Sequence, residues 1–420
     1  MIESKKDFHG LGIAPGILDI IANKLNFKTP TPIQERSIPI LIEGKDLMGI
    51  AQTGTGKTLA FGIPLIQRVL QGVGNGLVVV PTRELALQID ETLRKIGTPL
   101  SLRTAVIIGG EPISKQIRDL HRNPQIIIGT PGRILDHLEQ KTLSLNKVGI
   151  LVLDEADRIL DMGFAPQLQR ILFILPKNRQ TMLFSATMPE QIISIAKTYM
   201  KLPIRVEIAR SGTTVKDVTQ ELFFVKQEEK PRLLEKMLQD YRGSVLVFCR
   251  TKYSAKKIAA LVRALGHKSV EMHGNRSLSQ RKEALDGFKT GRYRVLIATD
   301  IAARGIDVTN IELVLNYDLP ENPEDYVHRI GRTARAGITG RAISFAQPNQ
   351  KTDVRSIERL IRGTLPISKI PLLPPPLPSK FKVDKMEERF DPRRKQFHPR
   401  DRKKKFHGKR PYSTSFRRGR

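Results

Sequence analysis

The stretch Ala51-Gln-Thr-Gly-Thr-Gly-Lys-Thr58 carries the residue types that grip a polyphosphate. Gly54 and Gly56 let the backbone curl until successive N–H groups face phosphate oxygens, and Gln52, Thr53 and Thr55 complete the loop. Lys57 reaches the β- and γ-phosphates, and Thr58 offers a hydroxyl to Mg²⁺. Ala51 stands where the G-x-x-x-x-G-K-T spacing has its first glycine, a change that leaves these groups in place. The loop follows an apolar run, Asp46–Ile50, and opens a helical pattern. That context favours a phosphate loop over a chance Gly-Thr turn. A second apolar run, Val148–Leu153, ends in Asp154-Glu-Ala-Asp157. An aspartate at the end of a buried strand downstream of a phosphate loop suits Mg²⁺, and Glu155 beside it can orient or deprotonate a water. In the second half of the chain, His328-Arg-Ile-Gly-Arg-Thr-Ala-Arg335 gathers Arg329, Arg332 and Arg335. Their planar guanidinium groups suit phosphate oxygens and transition-state charge. Local sequence alone allows a basic surface helix equally well. Position decides for an arginine finger, because two domains closing on one nucleotide need a cation from the far side.

Such groups must be held by rigid elements. Short apolar runs recur at Asp46–Ile50, Leu77–Val80, Gln125–Ile128, Val148–Leu153 and Thr181–Phe184. A second set follows at Ser244–Phe248, Arg294–Ala298, Ile311–Leu315 and Ala342–Phe345. Runs of four to six aliphatic residues fit strands buried on both faces. Amphipathic stretches between them, such as Ser254–Leu265, fit crossover helices, and the alternation predicts parallel sheets. In such sheets ligands bind beyond the carboxyl ends of the strands, where the candidate residues stand. The two sets part near Pro203–Val215. The spacing therefore predicts an N-terminal α/β domain over 1–208, a linker over 209–216, a second α/β domain over 217–365, and a hinge with a tail over 366–420.

The 420 residues suffice for two to four domains. Lys and Arg total 71 against 42 Asp and Glu, a formal net charge of +29, which points to a polyanionic partner. Residues 379–420 hold 17 Lys/Arg and 5 Asp/Glu, a net of +12, behind the proline-rich run Pro371–Pro378. That run fits an extended spacer, and the tail lacks any apolar period, so it is expected to be disordered when unbound. Its phenylalanines and Tyr412 are interleaved with cations, a pattern suited to stacking on unpaired bases; an amphipathic membrane-binding pattern is lacking. Cys249 is the single cysteine, which excludes an internal disulfide and a cysteine-rich zinc module; it reads as a buried small hydrophobe. No apolar run reaches the length of a spanning helix, and the start lacks a signal-peptide pattern. The expectation is a cytoplasmic monomer without a membrane role.

With these motifs in order, the chain resembles the DEAD-box ATP-dependent RNA helicases of superfamily 2, and its short, basic-tailed form resembles their bacterial RhlE type. The likeness runs over about residues 8–345. It implies two RecA-like parallel-sheet domains in tandem, with ATP and Mg²⁺ as cofactors and RNA, duplex or single-stranded, bound without base reading. By resemblance, Phe8 and Phe27-Lys-Thr-Pro-Thr-Pro-Ile-Gln34 form the adenine-reading element, Gln34 on the adenine edge and Phe27 near the ring. Lys57, Asp154 and Glu155 are then catalytic, with Thr58 and Asp154 as metal ligands. Arg332 and Arg335 are the fingers, Gly305 and Asp307 lie near the ribose, and Asp157, Ser185, Thr187 and His328 couple ATP to RNA. RNA contacts are implied at Pro81, Thr82, Arg83, Gly109, Gly110, Thr130, Pro131, Gly132 and Arg133. In the second domain they fall at Arg250, Thr251, His273, Gly274, Thr299 and Asp300. Gly-, Thr- and Arg-rich loops of this kind grip phosphates and 2′-hydroxyls. Two positions depart from the family pattern: Leu278 stands where a glutamine is frequent, and Ala334 where a glycine is. The implied activity is local unwinding of short duplexes driven by closure on ATP and RNA, with hydrolysis releasing the strand. The alternatives are an ATP-gated RNA clamp, an RNA annealer and, further behind, a DNA translocase.

Overall fold

The computed structural model describes residues 7–51, 54–208, 218–303, 311–333 and 340–375. The strands with continuous aliphatic runs lie at the centres of two wholly parallel sheets. The first contains β1 (Leu47–Ile50), β2 (Asn75–Val79), β3 (Thr104–Ile107), β4 (Ile126–Gly129), β5 (Val148–Leu153), β6 (Gln180–Ser185) and β7 (Ile204–Glu207), in the order β3-β4-β2-β5-β6-β1-β7. The second contains β8 (Val218–Phe224), β9 (Val245–Phe248), β10 (Ser269–Met272), β11 (Val295–Ala298), β12 (Leu313–Asn316) and β13 (Gly340–Ala346), ordered β10-β11-β9-β12-β13-β8. Every residue of β5 and of β6 is buried, as strands covered on both faces require. Helices cover them: apolar clusters lie on each face of the first sheet, one around Ile33, Phe61 and Phe184 and another around Leu151, Leu168 and Ile192.

Register brings the candidate loops together. Val79 is opposite Leu153, Leu153 opposite Leu183, and Ile50 opposite Ser185. The chain therefore leaves β2, β5, β6 and β1 side by side at one edge, where residues 81–84, 154–157, 185–187 and 51–58 follow. In the second sheet Met272, Ala298, Phe248 and Asn316 are successive neighbours, so the loops at His273, Thr299, Arg250 and Asp318 emerge together.

All nine expected runs are strands. Four strands were not foreseen: β3, β7, β8 and β10. Each lies at or beside a sheet margin with polar residues in its run, such as Arg205 and Glu207 in β7, which are exposed. A strand flanked on one side only buries fewer side chains, and the continuous apolar signal is lost. β7 also places a strand where the two sets of runs were expected to part.

The start of the expected spacer is docked on the second sheet. Ser368 N–H donates to Leu222 O at 2.9 Å, Leu222 N–H donates to Pro366 O at 2.8 Å, and Arg232 Nε donates to Pro374 O at 2.6 Å. Proline lacks an N–H but keeps its carbonyl, so an extended proline-rich chain can still accept such bonds. The linker 209–216 and the tail from 376 onward lie outside the described residues.

Candidate nucleotide and nucleic-acid site

Gly54 and Gly56 have φ of +84° and +89°, the left-handed conformation that lets successive N–H groups converge. Space demands glycine at 56 as well, since a Cβ there would stand 2.4 Å from Gln34 Nε2. The helix Lys57–Leu70 begins at this turn. Lys57 is buried, its ammonium donating to Ala51 O at 3.0 Å. Gln34 ties the loop to its own helix: Oε1 accepts from Thr31 N at 2.9 Å, and Nε2 donates to Gly56 O at 3.0 Å. Each end of the amide retains capacity, because the oxygen has a second lone pair and the nitrogen a second hydrogen. Gln34 can therefore still engage an adenine edge in both senses.

A cleft of about 640 Å³ is lined by Phe27, Gln34, Gly54, Gly56, Lys57, Thr58, Asp154, Glu155 and Arg332. It unites the expected phosphate loop, acid pair and finger from both halves of the chain. Phe27, about half exposed, stands at its edge. Phe8 does not line it. Its ring is 4% exposed and belongs to the apolar core of the first sheet, which corrects its expected place beside the adenine. An apolar ring preceding helices that cover the sheet gains more from burial there than at a wet cleft.

Asp154 is fully buried, and burial pushes its carboxyl up to about 6, against the lowering effect of Lys57. Glu155 adds to the rise by repulsion. An acid desolvated in this way is short of positive charge, and with Thr58 in the same cleft the donor set fits a divalent cation that takes its other ligands from phosphate and water. Glu155 adopts φ +51° at the start of the helix Ala156–Asp161, and its Oε2 accepts from Arg158 at 3.1 Å, both side chains buried. Arg158 had no signal in sequence, since a lone arginine there reads as solvated.

Asp157 turns toward β6. Its Oδ2 accepts from Ala186 N at 3.1 Å, Thr187 N at 2.8 Å and Thr187 Oγ1 at 3.0 Å, and Ser185 Oγ accepts from Asp157 N at 3.2 Å. The acid loop and the Ser185-Ala-Thr187 loop are thus one hydrogen-bonded unit.

The expected RNA loops line the same edges. Thr82 caps the helix Arg83–Gly97, its Oγ1 accepting from Leu85 N at 3.3 Å. The Arg83 guanidinium lies against Gly109 and Gly110, so close that a Cβ at Gly110 would collide with it. Burial lowers the Arg83 pKa, and Arg281 lowers it further. Arg133 Nη1 donates to Glu111 O at 3.2 Å, and buried Gln116 donates to Ile108 O at 2.9 Å while contacting His137. Thr130 and Pro131 are buried at the start of their helix, while Gly132 has open space around it. In the second sheet Thr251 caps the helix Lys252–Ala264 as Thr82 caps its counterpart. His273 is buried at the end of β10, Gly274 is exposed beyond it, and Thr299 opens the loop after β11.

The arginines of the second half separate. Both are buried, but Arg332 lines the cleft and Arg329 does not. Arg329 grips both carboxylate oxygens of Asp300, at 2.6 and 2.7 Å, and reaches Asn316 Oδ1 at 3.1 Å and Asp318 O at 2.6 Å. This corrects the expectation for Asp300 as an RNA contact: its carboxylate is taken by Arg329, and a free one would repel phosphate. His328 is half-buried on the same helix, Pro323–Ile330. Lys230, almost fully buried, was not singled out by sequence. Its ammonium donates to Tyr317 O at 2.7 Å and Asp318 Oδ1 at 2.9 Å, while Asp318 Oδ2 accepts from Arg250 N at 3.1 Å. Cys249 is buried as expected, with its thiol pushed up to about 12 by burial.

The two halves touch through the helix Leu278–Lys289. Arg281 Nη1 lies 2.9 Å from Glu84 Oε1, close enough for an ion pair though not aligned as a hydrogen bond, with both side chains about one-tenth exposed. Leu278 is buried among the apolar residues of the first half, so where the family often has a polar contact this chain makes an apolar one. Gln52, Thr53, Gly305, Asp307, Ala334 and Arg335 lie outside the described residues.

Residues 31–195 match the DEAD/DEAH box helicase family and residues 229–337 the helicase conserved C-terminal domain. The chain is 42% identical over 390 residues to the ATP-dependent rRNA helicase RRP3 of Debaryomyces hansenii, covering 92% of this chain and 80% of that one. It is 46% identical over 341 residues to the ATP-dependent RNA helicase CshA of Listeria monocytogenes, covering 80% and 65%. Among solved structures, S. cerevisiae Dbp5 bound to RNA and ADP BeF3 superimposes with a TM-score of 0.77 at 34% identity, over 87% of this chain and 95% of that one. Two matched domains in the right order, relatives that align over most of this chain and a shared two-sheet architecture with the acid and phosphate loops at its edge leave one assignment: the chain belongs to the DEAD-box family of ATP-dependent RNA helicases.

Proposed function

We propose that this helicase closes its two halves on ATP and RNA, bends one strand so that a short duplex melts locally, and uses hydrolysis to release the strand. The observation that carries the reading is the cleft in which Arg332 of the second half faces Lys57, Asp154 and Glu155 of the first. Thr58 and Asp154 would hold Mg²⁺, which when bound neutralises phosphate charge and aligns the phosphate groups. Lys57 neutralises the β- and γ-phosphates. Glu155 accepts the proton of a water as its oxygen bonds to the γ-phosphorus and the bond to the bridging oxygen breaks, while Arg158 fixes the carboxylate's orientation. Arg332, with Arg335, stabilises the charge that develops. Asp157 relays the state of that site to the Ser185–Thr187 loop through its three accepted hydrogen bonds. The Arg329–Asp300 pair joins the helix Pro323–Ile330, just ahead of the finger, to the Thr299 loop, and His328 on that helix is the proposed coupling residue.

Arg83, Gly109, Gly110, Thr130 and Arg133 in the first half, with Arg250, Thr251, His273 and Thr299 in the second, form the proposed RNA track. It grips backbone and 2′-hydroxyls, so recognition is largely independent of sequence. Superposition on Dbp5 in a state holding RNA supports a closed arrangement as the active one. We place the protein in the cytoplasm as a monomer. One buried thiol fits a reducing compartment, and among the described residues no helix is long and apolar enough to cross a membrane.

Strand displacement on a short RNA duplex, with ATP against a non-hydrolysable analogue, tests the reading. Displacement with either nucleotide but release and recycling only with ATP is expected. Stable retention of the strand under turnover would make the protein a clamp, and faster duplex formation would make it an annealer.

A further inference from the structure

Beside the proposed RNA track in the second half stands a feature the track does not use. Tyr253, in the first turn of the helix Lys252–Ala264, is 70% exposed. An isolated exposed ring needs no explanation. This one stands two residues past Thr251 and amid cations. The Lys252 ammonium lies 5.4 Å from its ring centroid and donates to Asn275 Oδ1 at 3.3 Å, which ties the ring to the loop after His273-Gly274. Lys256, one turn on, is exposed. Burial chiefly, then Arg276, lowers the His273 pKa, Glu271 opposes them, and Lys252 and Lys256 add to the lowering, so both lysines act at the His273 end of the track. Among the nearby acids, Glu271 is almost buried and pairs with Arg263 and Arg276, and the exposed Glu321 lies 3.8 Å from Arg250, so the charge left to the patch is that of Lys252 and Lys256.

We propose that Tyr253 with Lys252, Lys256 and Asn275 forms a base-stacking subsite that extends the RNA track by at least one unpaired nucleotide. Phosphates meet the cations, Asn275 is within reach of a sugar or base edge, and the base lies on the tyrosine ring. A ring face offers the same area to any base, so the subsite adds affinity and a demand for single-stranded character without reading sequence. The helix cap fixes the backbone beneath the ring: Thr251 Oγ1 accepts from Ser254 N at 3.1 Å. An acidic protein segment is the other polyanion such a patch could take. RNA is favoured because the patch is continuous with the loops at Arg250–Thr251 and His273–Gly274.

The proposal rests on the RNA track, and its test separates the two. The full-length protein is titrated into a labelled uridine strand long enough to span both halves, and into the same strand with a single abasic nucleotide placed at each position in turn. Tyr253→Leu should weaken binding to the intact strand about tenfold, toward the lower end of the range for one stacked base because Lys252 already shares the ring. Tyr253→Phe should bind within about twofold of wild type, since the ring face is kept. For wild type, one abasic position should reproduce the loss, and at that position Tyr253→Leu should add nothing further. RNA-free ATPase should be the same in all three proteins. If wild type binds RNA but Tyr253→Leu binds equally well, the subsite is refuted while the track stands. A loss that is the same on every strand would also refute it, since the ring would not be touching a base. Unchanged RNA affinity with weakened binding of polyglutamate would make the patch a protein-docking face. Failure of wild type to bind RNA at all would instead overturn the track.

Discussion

Arg329 and Arg332 lie three residues apart on the same structural unit, and their environments predict opposite phenotypes. Arg329 is 2% exposed and makes four hydrogen bonds, two of them to the Asp300 carboxylate. Arg329→Met keeps the apolar stem of the side chain but leaves a carboxylate, an amide and a carbonyl without their donor. Removing one partner of a buried ion pair costs about 3–5 kcal/mol. The Asp300 side chain is 23% exposed, so water can partly solvate it, and that brings the ionic loss to about 3 kcal/mol. Asn316 is fully buried, and its abandoned oxygen adds about 1–3 kcal/mol. The second half of the protein should therefore lose about 4–6 kcal/mol of stability, a large fraction of what a domain of this size possesses. Urea unfolding followed by far-ultraviolet circular dichroism reads this directly; the chain has no tryptophan, so fluorescence is the poorer probe. Adding Asp300→Asn should restore about 1–2 kcal/mol, because an amide is cheaper than a carboxylate to leave unpaired. Arg332→Lys, by contrast, should lower the RNA-stimulated rate about 10³-fold and leave nucleotide affinity near wild type, since a finger acts on the transition state. A stability loss below about 1 kcal/mol for Arg329→Met would refute the reading of that residue as the anchor of the Thr299–Asp300 loop.

The remaining expectations concern the nucleotide and the tail. Glu155→Gln should lower ATP turnover by about 10²–10⁴ while ATP still binds, because the amide keeps the size and Arg158 contact but cannot accept the proton; wild-type turnover would remove Glu155 from its role. Lys57→Ala should weaken ATP binding as well as turnover, measured by equilibrium titration, and unchanged affinity would place the nucleotide elsewhere. Gln34→Ala should narrow the preference of the intact protein for ATP over GTP; comparable turnover of the two nucleotides by wild type would contradict adenine reading. Truncation after Pro378 removes a net charge of +12, and if half a dozen of its cations meet phosphate, the log–log salt slope of RNA binding should flatten by roughly four. Superimposable slopes would leave the tail without a part in RNA binding.

The sequence disclosed what local chemistry writes down. β5 and β6 are buried throughout and carry apolar runs, Ile150–Leu153 and Met182–Phe184, so their positions, and with them the loops at Asp154 and Ser185, could be read directly. β7 reads Ile-Arg-Val-Glu, and β10 reads Ser-Val-Glu-Met, runs that half-exposed or polar-bearing margins produce and that no apolar-run criterion detects. Phe8 illustrates the converse. Its resemblance-based place at the adenine conflicts with a side chain that is buried in the core, and only the fold reveals which neighbours an aromatic ring has. Lys230, Arg158 and Arg281 were equally opaque as site residues, since a charged side chain on a helix reads as solvated until its partner is brought up from a distant segment.

Those three charges share a placement with the Arg329–Asp300 pair that explains why the fold tolerates them. Taking an ion pair out of water costs free energy that its attraction does not reliably return, so stability alone does not account for four of them. Each stands directly behind a loop at the carboxyl edge of a sheet. Arg158 backs Glu155, Lys230 and Asp318 back the Arg250 backbone, Arg329 and Asp300 back Thr299, and Arg281 backs Glu84 beside Arg83. A loop beyond the end of a strand has lost its ladder of backbone hydrogen bonds, and charged contacts, directional hydrogen bonds in all but the Arg281–Glu84 pair, are the substitute that fixes it. The sheet supplies position to within a strand's spacing, and the ion pairs supply the remaining orientation. The expected consequence is that isosteric neutralisation of a pair, such as Lys230→Met with Asp318→Asn, leaves the fold nearly as stable but raises the RNA concentration needed for half-maximal ATPase. Unchanged half-saturation in a folded double variant would show that the pairs do not orient the loops.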